Sequence, residues 1–318
     1  MGRGLSMLRR ILRGSASMMA GLFWLMSGPA LAVAALPPAH GANSTPLRLL
    51  SWNIRLDTAA DGADSWPYRA AGVIALLQQQ QPDVIGLQEV LWHQLVRLES
   101  ALTDYQRVGV GRDQGRADAS ETGEFSPLFF HKRRFSLLAS GTFWLHPANQ
   151  IGQPGGDAAL PRICSWALLR DKQQGRLLQV LNLHLDHQGA QARREAIRLL
   201  GRYWQQQQPS AAALVVMGDF NPAPGDGVLS TLAQVLPEQQ DVLAIKPAAS
   251  GPAYSYYGWQ QTPADGVRLD YLLVPPAQLQ VVSAALLPAP RVQQPATARH
   301  SGRLSDHLPL QADLRWWP

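Results

Sequence analysis

Eight polar side chains lie at the ends of short apolar runs, where packing alone gives no reason for them. Each is of a type that can bind a metal ion, carry a proton or donate to an anionic oxygen. They occur in the segments SWNIR, LQEV, NLHLDH, GDFN, RLDYLLV and SDHLPL. The residues are Asn53, Glu89, His184, Asp219, Asn221, Asp270, Asp306 and His307. We interpret them together as one active site built from strand ends.

Two of these residues could bind a hard divalent cation. Asn53 follows LLSW and Glu89 follows DVIGL, and both runs are typical of strands. Such a cation prefers oxygen ligands, commonly one or two carboxylates completed by amide oxygens and water. Taken singly, Glu89 could begin a surface helix and Asn53 could form a turn. Together they predict a cation site shared by adjacent strands.

Asp219 and Asn221 follow the apolar run LVVM and lie two residues apart. An extended backbone points such a pair in the same direction. A carboxylate can hold and polarise an attacking water, while a neutral amide can donate to the oxyanion of a phosphorane-like transition state. The alternative is an ordinary polar turn before Pro222.

Asp270 and the pair Asp306-His307 are most informative together. A histidine that acts as a base or an electrostatic stabiliser needs a carboxylate to fix its tautomer and orientation. Asp270 can orient His307, which leaves Asp306 free to contact the metal. Separately, each could be an ordinary loop residue.

His184 stands in the alternating run LNLHL, directly before Asp186 and His187. One interpretation is a core histidine bonded to the backbone. The His-x-x-His spacing raises a zinc hypothesis, but no compact third ligand accompanies it. The segment is unusually polar for a strand end, which favours a role in the site.

The elements that must position these residues are about ten strands and four helices. Apolar runs predict strands at 47–54, 83–87, 128–131, 141–145, 163–170, 177–185, 212–217, 269–274, 279–287 and 308–314. Helical periodicity covers 67–80, 92–102, 190–207 and 228–236. The turn-rich DKQQG predicts a hairpin of 163–170 with 177–185, and Ser65 is a candidate helix cap. Two stacked sheets covered by helices suit this order.

Residues 1–36 differ from the rest of the chain and predict a secretory signal peptide. Four arginines precede an apolar run at 18–26 and a small-x-small cleavage site near Ala32 to Ala35. An uncleaved anchor is the alternative, but the apolar run falls short of the roughly 20 residues needed to span a bilayer. Twin-arginine export fits the residues around Arg9-Arg10 poorly. We expect a periplasmic or secreted protein with a linker at 37–45, a single domain at 46–318 and no transmembrane anchor after processing.

Composition and charge narrow the class of partner. The chain has 318 residues, 46% of them hydrophobic, and its single cysteine, Cys164, excludes an intramolecular disulfide and a cysteine-rich metal site. The formal net charge is +5, but four arginines and no acids lie in 1–36, so the remainder carries +1. A protein that grips a polyanion usually has a clear basic excess. We therefore predict a monomer acting on a small phosphorylated substrate, with nucleic acid as the alternative.

The six segments resemble the endonuclease/exonuclease/phosphatase superfamily, which includes DNase I-like nucleases, inositol polyphosphate 5-phosphatases, sphingomyelinases and deadenylases. The resemblance covers residues 46–315 in the family's motif order. DGADSWPYR, GVGR, GEFSP, GTFWL and PRICSW resemble a bacterial branch described only as phosphoesterases of unstated substrate. Leu183 departs from the pattern, since the family often has Thr before the motif histidine. The implied fold is α/β (α+β): a DNase I-like four-layer sandwich of two stacked mixed β-sheets flanked by helices.

The resemblance also implies roles for the site residues. Glu89 and Asn53 would hold Mg²⁺ or Mn²⁺ with Asp306 close by, and Asp219 would position the nucleophilic water. Asn221 would bind the scissile phosphate. His184 and His307 would contact phosphate oxygens or handle protons, with Asp270 orienting His307. The implied reaction is in-line hydrolysis of a P–O bond without a covalent enzyme intermediate.

Substrate contacts are less specifically indicated by the sequence. An arginine near the metal can clamp phosphate oxygens in a bidentate way, and the aromatic cluster YSYYGW can line the mouth of a site. The candidates are Arg55, Glu124, Arg162, His187 and Tyr257. The alternatives to a small-molecule phosphoesterase are a secreted nuclease and a phospholipid or sphingomyelin phosphodiesterase. Outside the enzymes, the alternative is an inactive protein that binds a phosphate ligand.

Overall fold

The computed structural model describes residues 45–118, 123–207, 211–223, 225–248, 251–259, 266–288 and 302–318. All of them fall within one unit, Pro37–Pro318. The predicted signal peptide at 1–36 and all but the last residue of the predicted linker lie outside the described residues. Within the described part of the chain, no helix is long and apolar enough to cross a membrane.

Two six-stranded mixed sheets form the centre of the fold. The first contains β1 (Leu47–Asn53), β2 (Val84–Gln88), β3 (Tyr105–Val108), β4 (Leu128–His131), β11 (Leu279–Leu286) and β12 (Leu310–Trp316), in the order β11-β12-β1-β2-β4-β3. The second contains β5 (Phe135–Trp144), β6 (Ile163–Asp171), β7 (Leu177–His184), β8 (Ala212–Asp219), β9 (Gln240–Asp241) and β10 (Asp270–Val274), in the order β5-β6-β7-β8-β10-β9. Each sheet has one parallel pair at its centre, β1 with β2 and β7 with β8.

Five α-helices and one 3₁₀ helix are described. They are α1 (Trp66–Gln80), α2 (Trp92–Ala101), α3 (Ala190–Gln207), α4 (Val228–Val235) and α5 (Val242–Ile245), with the 3₁₀ helix at Ala59–Asp64. Ser65 stands at the N-cap of α1, but its side chain makes no capping hydrogen bond. The carboxylate of Asp57 accepts from the Trp66 backbone N–H instead, at 3.1 Å. The helix ends at Gln81, whose left-handed backbone precedes Pro82.

Side-chain alternation along the strands separates three apolar layers. The layer between the sheets takes Leu49 from β1 and Val215 from β8, along with the other inward-facing residues of both sheets. The outer face of the first sheet packs against α1 and α2, and that of the second against α3 and α4. The arrangement is helix, sheet, sheet, helix, and it confirms the predicted four-layer sandwich of the DNase I-like fold.

The predicted hairpin is confirmed, because β6 and β7 pair antiparallel along their length. The strands β3 and β9, the first half of β5, the short helix α5 and the 3₁₀ helix were missed. β3 and β9 are short strands at sheet edges, and the first half of β5 has exposed residues and a bulge between Leu137 and Ala139. A half-exposed edge strand shows little of the hydrophobic alternation on which the prediction depends.

A buried polar contact crosses the layer between the two sheets. The Nε2 of Gln88, at the end of β2, donates to Oδ1 of Asn182 in β7 at 2.7 Å. The Nδ2 of Asn182 donates to the carbonyls of Leu87 at 2.8 Å and Pro127 at 2.9 Å. Gly86 permits this approach, because a Cβ there would lie 2.8 Å from Asn182 Oδ1. The contact fixes β2 against β7 immediately before both strands reach their polar ends.

We expect Asn182→Leu to lower the free energy of unfolding by about 2–4 kcal/mol, because it removes the shortest hydrogen bond of Gln88 Nε2 and two side-chain hydrogen bonds to buried carbonyls. Urea unfolding followed by circular dichroism measures the change. Gln106→Leu, on the exposed side of β3, is the matched control and should shift stability by about 0.5 kcal/mol or less. Equal stabilities of the Asn182 variant and the wild type would contradict the role of this contact.

Candidate active site

The central strands of the first sheet end at one edge. Because β1 and β2 are parallel, Asn53 and Glu89 come to the same edge, with Glu89 directly after β2. Strand β12 is antiparallel to β1, so the residues that precede it, Asp306 and His307, lie at this edge as well. The topology thus gathers four of the predicted site residues.

The second sheet supplies the other four predicted site residues, because its strand ends meet at one edge in the same way. The parallel strands β7 and β8 end in register at His184 and Asp219. Strand β10 is antiparallel to β8 and begins at Asp270, directly opposite Asp219. Asn221 follows two residues after Asp219, and its backbone N–H donates to Asp219 Oδ1 at 3.0 Å.

The two edges enclose a cavity of about 430 Å³. Its lining residues are Arg55, Leu56, Glu89, Glu124, Leu160, Arg162, His184, His187, Asp219, Asn221, Tyr256, Leu269, Asp306 and His307. Asn53 and Asp270 are fully buried and contact the lining residues from behind. All eight motif residues therefore meet at one place, as the sequence predicts.

The Asn53 side chain joins the two halves of the site. Its Nδ2 donates to Glu89 Oε1 at 2.9 Å and to Asp219 Oδ2 at 3.1 Å, one carboxylate from each sheet. Its Oδ1 accepts from the Arg55 backbone N–H at 3.0 Å. A single buried amide thus fixes the separation of the two carboxylates.

Glu89 and Asp306 have the donor chemistry for a hard divalent cation. The Arg55 guanidinium lies 3.9 Å from both, through Nη1 to Glu89 Oε2 and Nε to Asp306 Oδ2, so the two carboxylates face a common position that attracts positive charge. Burial raises the pKa of Asp306, and the charge of Glu89 adds to the rise. Carboxylates of this kind fit Mg²⁺ or Mn²⁺. Asn53, predicted as a further ligand, turns its Nδ2 toward Glu89 and its Oδ1 toward the Arg55 backbone N–H, so in this structure it orients the carboxylates.

Asp219, Asp270 and His307 form a second, fully buried group. His307 Nδ1 lies 2.8 Å from Asp270 Oδ2, and His307 Nε2 lies 3.7 Å from Asp219 Oδ2. Burial raises the pKa of Asp219 to about 7, and the Asp270 charge adds to this. Burial lowers the pKa of His307, but Asp270 and Asp219 outweigh it and raise the pKa to about 10. A protonated His307 held between two carboxylates is the result.

The same three side chains bring ligand atoms within 4.8 Å of one another, and the described residues give no such group that includes His184 or His187. The zinc hypothesis for the His-x-x-His spacing thus has no ligand set among the described residues. Because His307 Nδ1 is engaged by Asp270, we interpret Asp270 and His307 as a hydrogen-bonded pair that faces Asp219, rather than the three as ligands of one ion.

His184 is placed to interact as a neutral imidazole. Burial, with the charges of Arg162 and Arg112, holds the pKa of His184 well below its ordinary value. Its Nε2 lies 3.1 Å from Asn221 Nδ2 and 3.6 Å from Asp219 Oδ2. A neutral ring can accept from the Asn221 amide at this nitrogen.

Three residues of the site have a left-handed backbone. The φ angles are 61° at Arg55, 61° at Glu89 and 43° at Asn221. For a non-glycine residue this conformation costs about 1–2 kcal/mol, and it persists only where surrounding contacts impose it. Such strain concentrates at functional sites.

The segment DGADSWPYR supplies two residues that reasoning from the sequence left without a role. Asp61 accepts from Arg55 Nε and Nη2, both at 3.0 Å, which is a bidentate pair. Arg69 is buried, and its Nη1 donates to the carbonyls of Ile54 at 2.7 Å and Leu304 at 2.6 Å. Together they fix the loop after β1 against the segment that leads to Asp306. The cluster of polar residues between β1 and α1 is the feature of the sequence that could have indicated a role for this segment.

The opposite flank of the cavity carries Glu124, Arg162 and His187. Arg112 Nη2 lies 2.8 Å from Glu124 Oε1. Arg162 Nε donates to Asp186 Oδ2 at 3.4 Å, and its Nη2 lies 3.0 Å from His187 Nδ1. Asp186 and Arg112 had not been singled out as site residues, because ion pairs between loops leave no local pattern in the sequence.

Asp186 is the anchor of this flank. Its carboxylate accepts from the backbone N–H groups of Ala159, Leu160, Gln188 and Gly189. Although burial acts in the opposite direction, these bonds and the nearby Arg162 lower the pKa of Asp186 to about 2.

The substrate contacts predicted from the sequence are only partly brought together. Arg55, Glu124, Arg162 and His187 line the cavity, but Tyr257 does not. Tyr257 is buried and its hydroxyl donates to the Ser305 carbonyl, so it supports the segment that bears Asp306. The neighbouring Tyr256 lines the cavity, with its ring 4.9 Å from that of His307. The sequence places aromatics here but does not reveal which one faces the cavity.

Comparison with known proteins agrees with this geometry. The sequence model of the "Endonuclease/Exonuclease/phosphatase family" matches residues 50–307. A Bacteroides vulgatus endonuclease/exonuclease/phosphatase structure is 32% identical, with a TM-score of 0.76 over 86% of this chain and 100% of that one. A Bacteroides thetaiotaomicron mannosyl-6-phosphatase is 27% identical, with a TM-score of 0.75 over 85% and 99%.

The human nocturnin catalytic domain shares the fold at 24% identity, with a TM-score of 0.65 over 86% of this chain and 94% of that one. No curated protein matches the sequence.

We expect Asp186→Asn to lower the free energy of unfolding at pH 7 by about 2 kcal/mol, because a charged acceptor of four backbone N–H groups is lost. Since folding lowers the pKa of Asp186 from 3.8 to about 2, its contribution is present above about pH 4 and is lost as the pH falls toward 2. Urea unfolding across this range should show the difference from the wild type shrinking.

The exposed Asp118 gives the control for that measurement. Asp118→Asn should leave the stability and its pH dependence close to those of the wild type. A deficit of the Asp186 variant that stayed constant from pH 7 to pH 2 would contradict the assignment.

Proposed function

Because the chain belongs to the Endonuclease/Exonuclease/phosphatase family, we propose that it is a divalent-metal-dependent hydrolase of a small phosphate ester. The observation that carries the proposal is the Asn53 amide, which holds Glu89 and Asp219 at one cavity between the sheets. A cation-binding carboxylate and a water-binding carboxylate are thereby set side by side. That pairing suits the hydrolysis of a phosphate ester.

The carboxylates of Glu89 and Asp306 would hold the ion, with Glu89 oriented by the Asn53 amide. A bound Mg²⁺ or Mn²⁺ supplies positive charge beside the phosphoryl oxygens. Arg55 lies next to the same carboxylates and can donate to phosphate oxygens through Nη1. Asp61 holds the guanidinium in place by engaging Nε and Nη2.

Asp219 is the candidate to orient the nucleophilic water. Its Oδ2 lies 3.6 Å from His184 Nε2 and 3.7 Å from His307 Nε2, so both histidines can exchange protons or hydrogen bonds with groups bound there. Asn221 can donate to the phosphoryl oxygens. None of the described residues that line the cavity is a serine, threonine or cysteine, which supports water as the nucleophile.

The size and charge of the site favour a small substrate. A cavity of about 430 Å³ is in the range that holds small molecules. With residues 1–36 removed the formal net charge is only +1, which gives little general attraction for a polynucleotide. The relatedness to a mannosyl-6-phosphatase points the same way. A nuclease remains the alternative, because one fold can serve both reactions.

Export and the monomeric state remain predictions from the sequence. The leader-like residues 1–36 motivate a periplasmic or secreted enzyme. N-terminal sequencing of the mature protein tests cleavage near Ala32 to Ala35.

We expect Glu89→Gln to reduce turnover of phosphate esters by about 10²–10³-fold and to weaken Mg²⁺ and Mn²⁺ binding, because a charged oxygen ligand is lost. Phosphate release across a panel of esters measures the first effect, and isothermal titration calorimetry measures the second. Glu99→Gln, a partly exposed change in α2, is the control and should leave both unchanged. Full metal-dependent turnover by the Glu89 variant would overturn the proposal.

We expect Asp61→Asn to raise KM about 3–10-fold with kcat within about twofold, because the Arg55 guanidinium loses its bidentate partner and binds phosphate less firmly. The inhibition constant for inorganic phosphate should rise in parallel. Asp57→Asn, which changes a nearby carboxylate bonded to His93 and the Trp66 backbone, should leave both constants unchanged. A loss of kcat without a change in KM would exclude this role for Asp61.

A further inference from the structure

One flank of the cavity, formed by Glu124, Leu160, Arg162 and His187, holds none of the residues assigned to the hydrolytic step. We infer that it binds the leaving group and selects one rich in hydroxyl groups, such as a sugar or another polyol. The inference rests on the proposed function and specifies its substrate class.

The first argument is position. Arg162 directly precedes β6, which is separated from β8 by β7. Neighbouring strands lie about 4.8 Å apart, so the backbone at Arg162 is roughly 10 Å from that at Asp219. Arg162 thus lines the cavity two strands away from Asp219, where it can contact a part of the substrate other than a phosphate bound at Asp219 and Asn221.

The second argument is that this arginine is held in place. Its side chain is 6% exposed, and its Nε and Nη2 contact Asp186 and His187. Asp186 is itself fixed by four backbone N–H groups. Both partners lie in the loop after β7, so they hold the guanidinium on this flank and present a preorganised donor.

The third argument is a carboxylate on the same flank. Arg112 engages Glu124 Oε1 at 2.8 Å, while Glu124 Oε2 lies 3.9 Å from His184 Nδ1 at the cavity. The Glu124 side chain is 13% exposed, so a ligand can reach it. The flank therefore offers a fixed acceptor as well as a fixed donor.

The balance of charge identifies the ligand. Arg162 is paired with Asp186 and Glu124 with Arg112, so the flank has little net charge to offer a second phosphate or carboxylate. A hydroxyl both donates and accepts, and can donate to Glu124 while accepting from Arg162. Leu160 adds an apolar surface for the carbon skeleton. Tyr256, which could stack on a base, adjoins His307 rather than this flank.

The test compares two esters with the same type of primary leaving group, a hexose 6-phosphate and n-hexyl phosphate, in the presence of Mg²⁺ or Mn²⁺. The wild type should hydrolyse the hexose ester with a kcat/KM about 10²-fold higher or more, because a site built to bind hydroxyls discriminates strongly against an analogue that lacks them. Glu124→Gln should reduce this ratio about 10-fold or more. Arg162→Lys, which keeps the charge and loses the planar fork, should reduce it as well.

The control and the opposing outcomes are distinct. Asp118→Asn, at an exposed residue, should keep the wild-type ratio. Equal efficiency on both esters by the wild type would overturn the leaving-group site while leaving the proposed function intact. A preference for a hexose bisphosphate over the monophosphate would overturn it in favour of an anion site. Hydrolysis of neither ester, nor of any other phosphate ester, would overturn the proposed function and this inference together.

Discussion

The site depends on hydrogen bonds that cross the gap between two separately built sheets. Dispersion and apolar burial hold the sheets together but allow them to slide, because such contacts have little directional preference. Gln88–Asn182 and Asn53–Asp219 remove that freedom with buried amides. An amide buried without its partner is costly, so only one register satisfies all of them.

Concentrated negative charge is the second constraint. Glu89, Asp219, Asp270, Asp306 and Glu124 all lie at or beside the cavity, and burial of so many carboxylates is unfavourable unless positive groups compensate it. Arg55 faces one part of the cluster, His307 another, and Arg112 a third. Glu89 and Asp306 share the Arg55 guanidinium at 3.9 Å, which leaves negative charge beside them for a further cation to compensate.

The sequence was sufficient for the fold and for the residues at strand ends. A strand end fixes a side chain's position once the neighbouring strands are known. Periodicity placed Asp219 and His184 at strand ends, and the family resemblance implied which strands are neighbours. Asp61, Arg112 and Asp186 could not, because their partners are joined only by the tertiary path of loops. Tyr257 and Tyr256 illustrate the same limit: the sequence places an aromatic pair near the site, and only packing decides which ring faces the cavity. Half-exposed edge strands such as β3 could not be predicted either, because they lack the alternation of apolar and polar residues by which strands are recognised.

The left-handed backbone at Arg55, Glu89 and Asn221 has an evolutionary consequence. Glycine adopts these angles at no steric cost, so at each position selection for stability alone would drift toward glycine. The same backbone occurs outside the site, as at Gln81, but at these three positions glycine would also remove a guanidinium, a carboxylate and an amide from one cavity. Around this cavity a more relaxed backbone and a complete set of polar groups are therefore competing demands on the same residues.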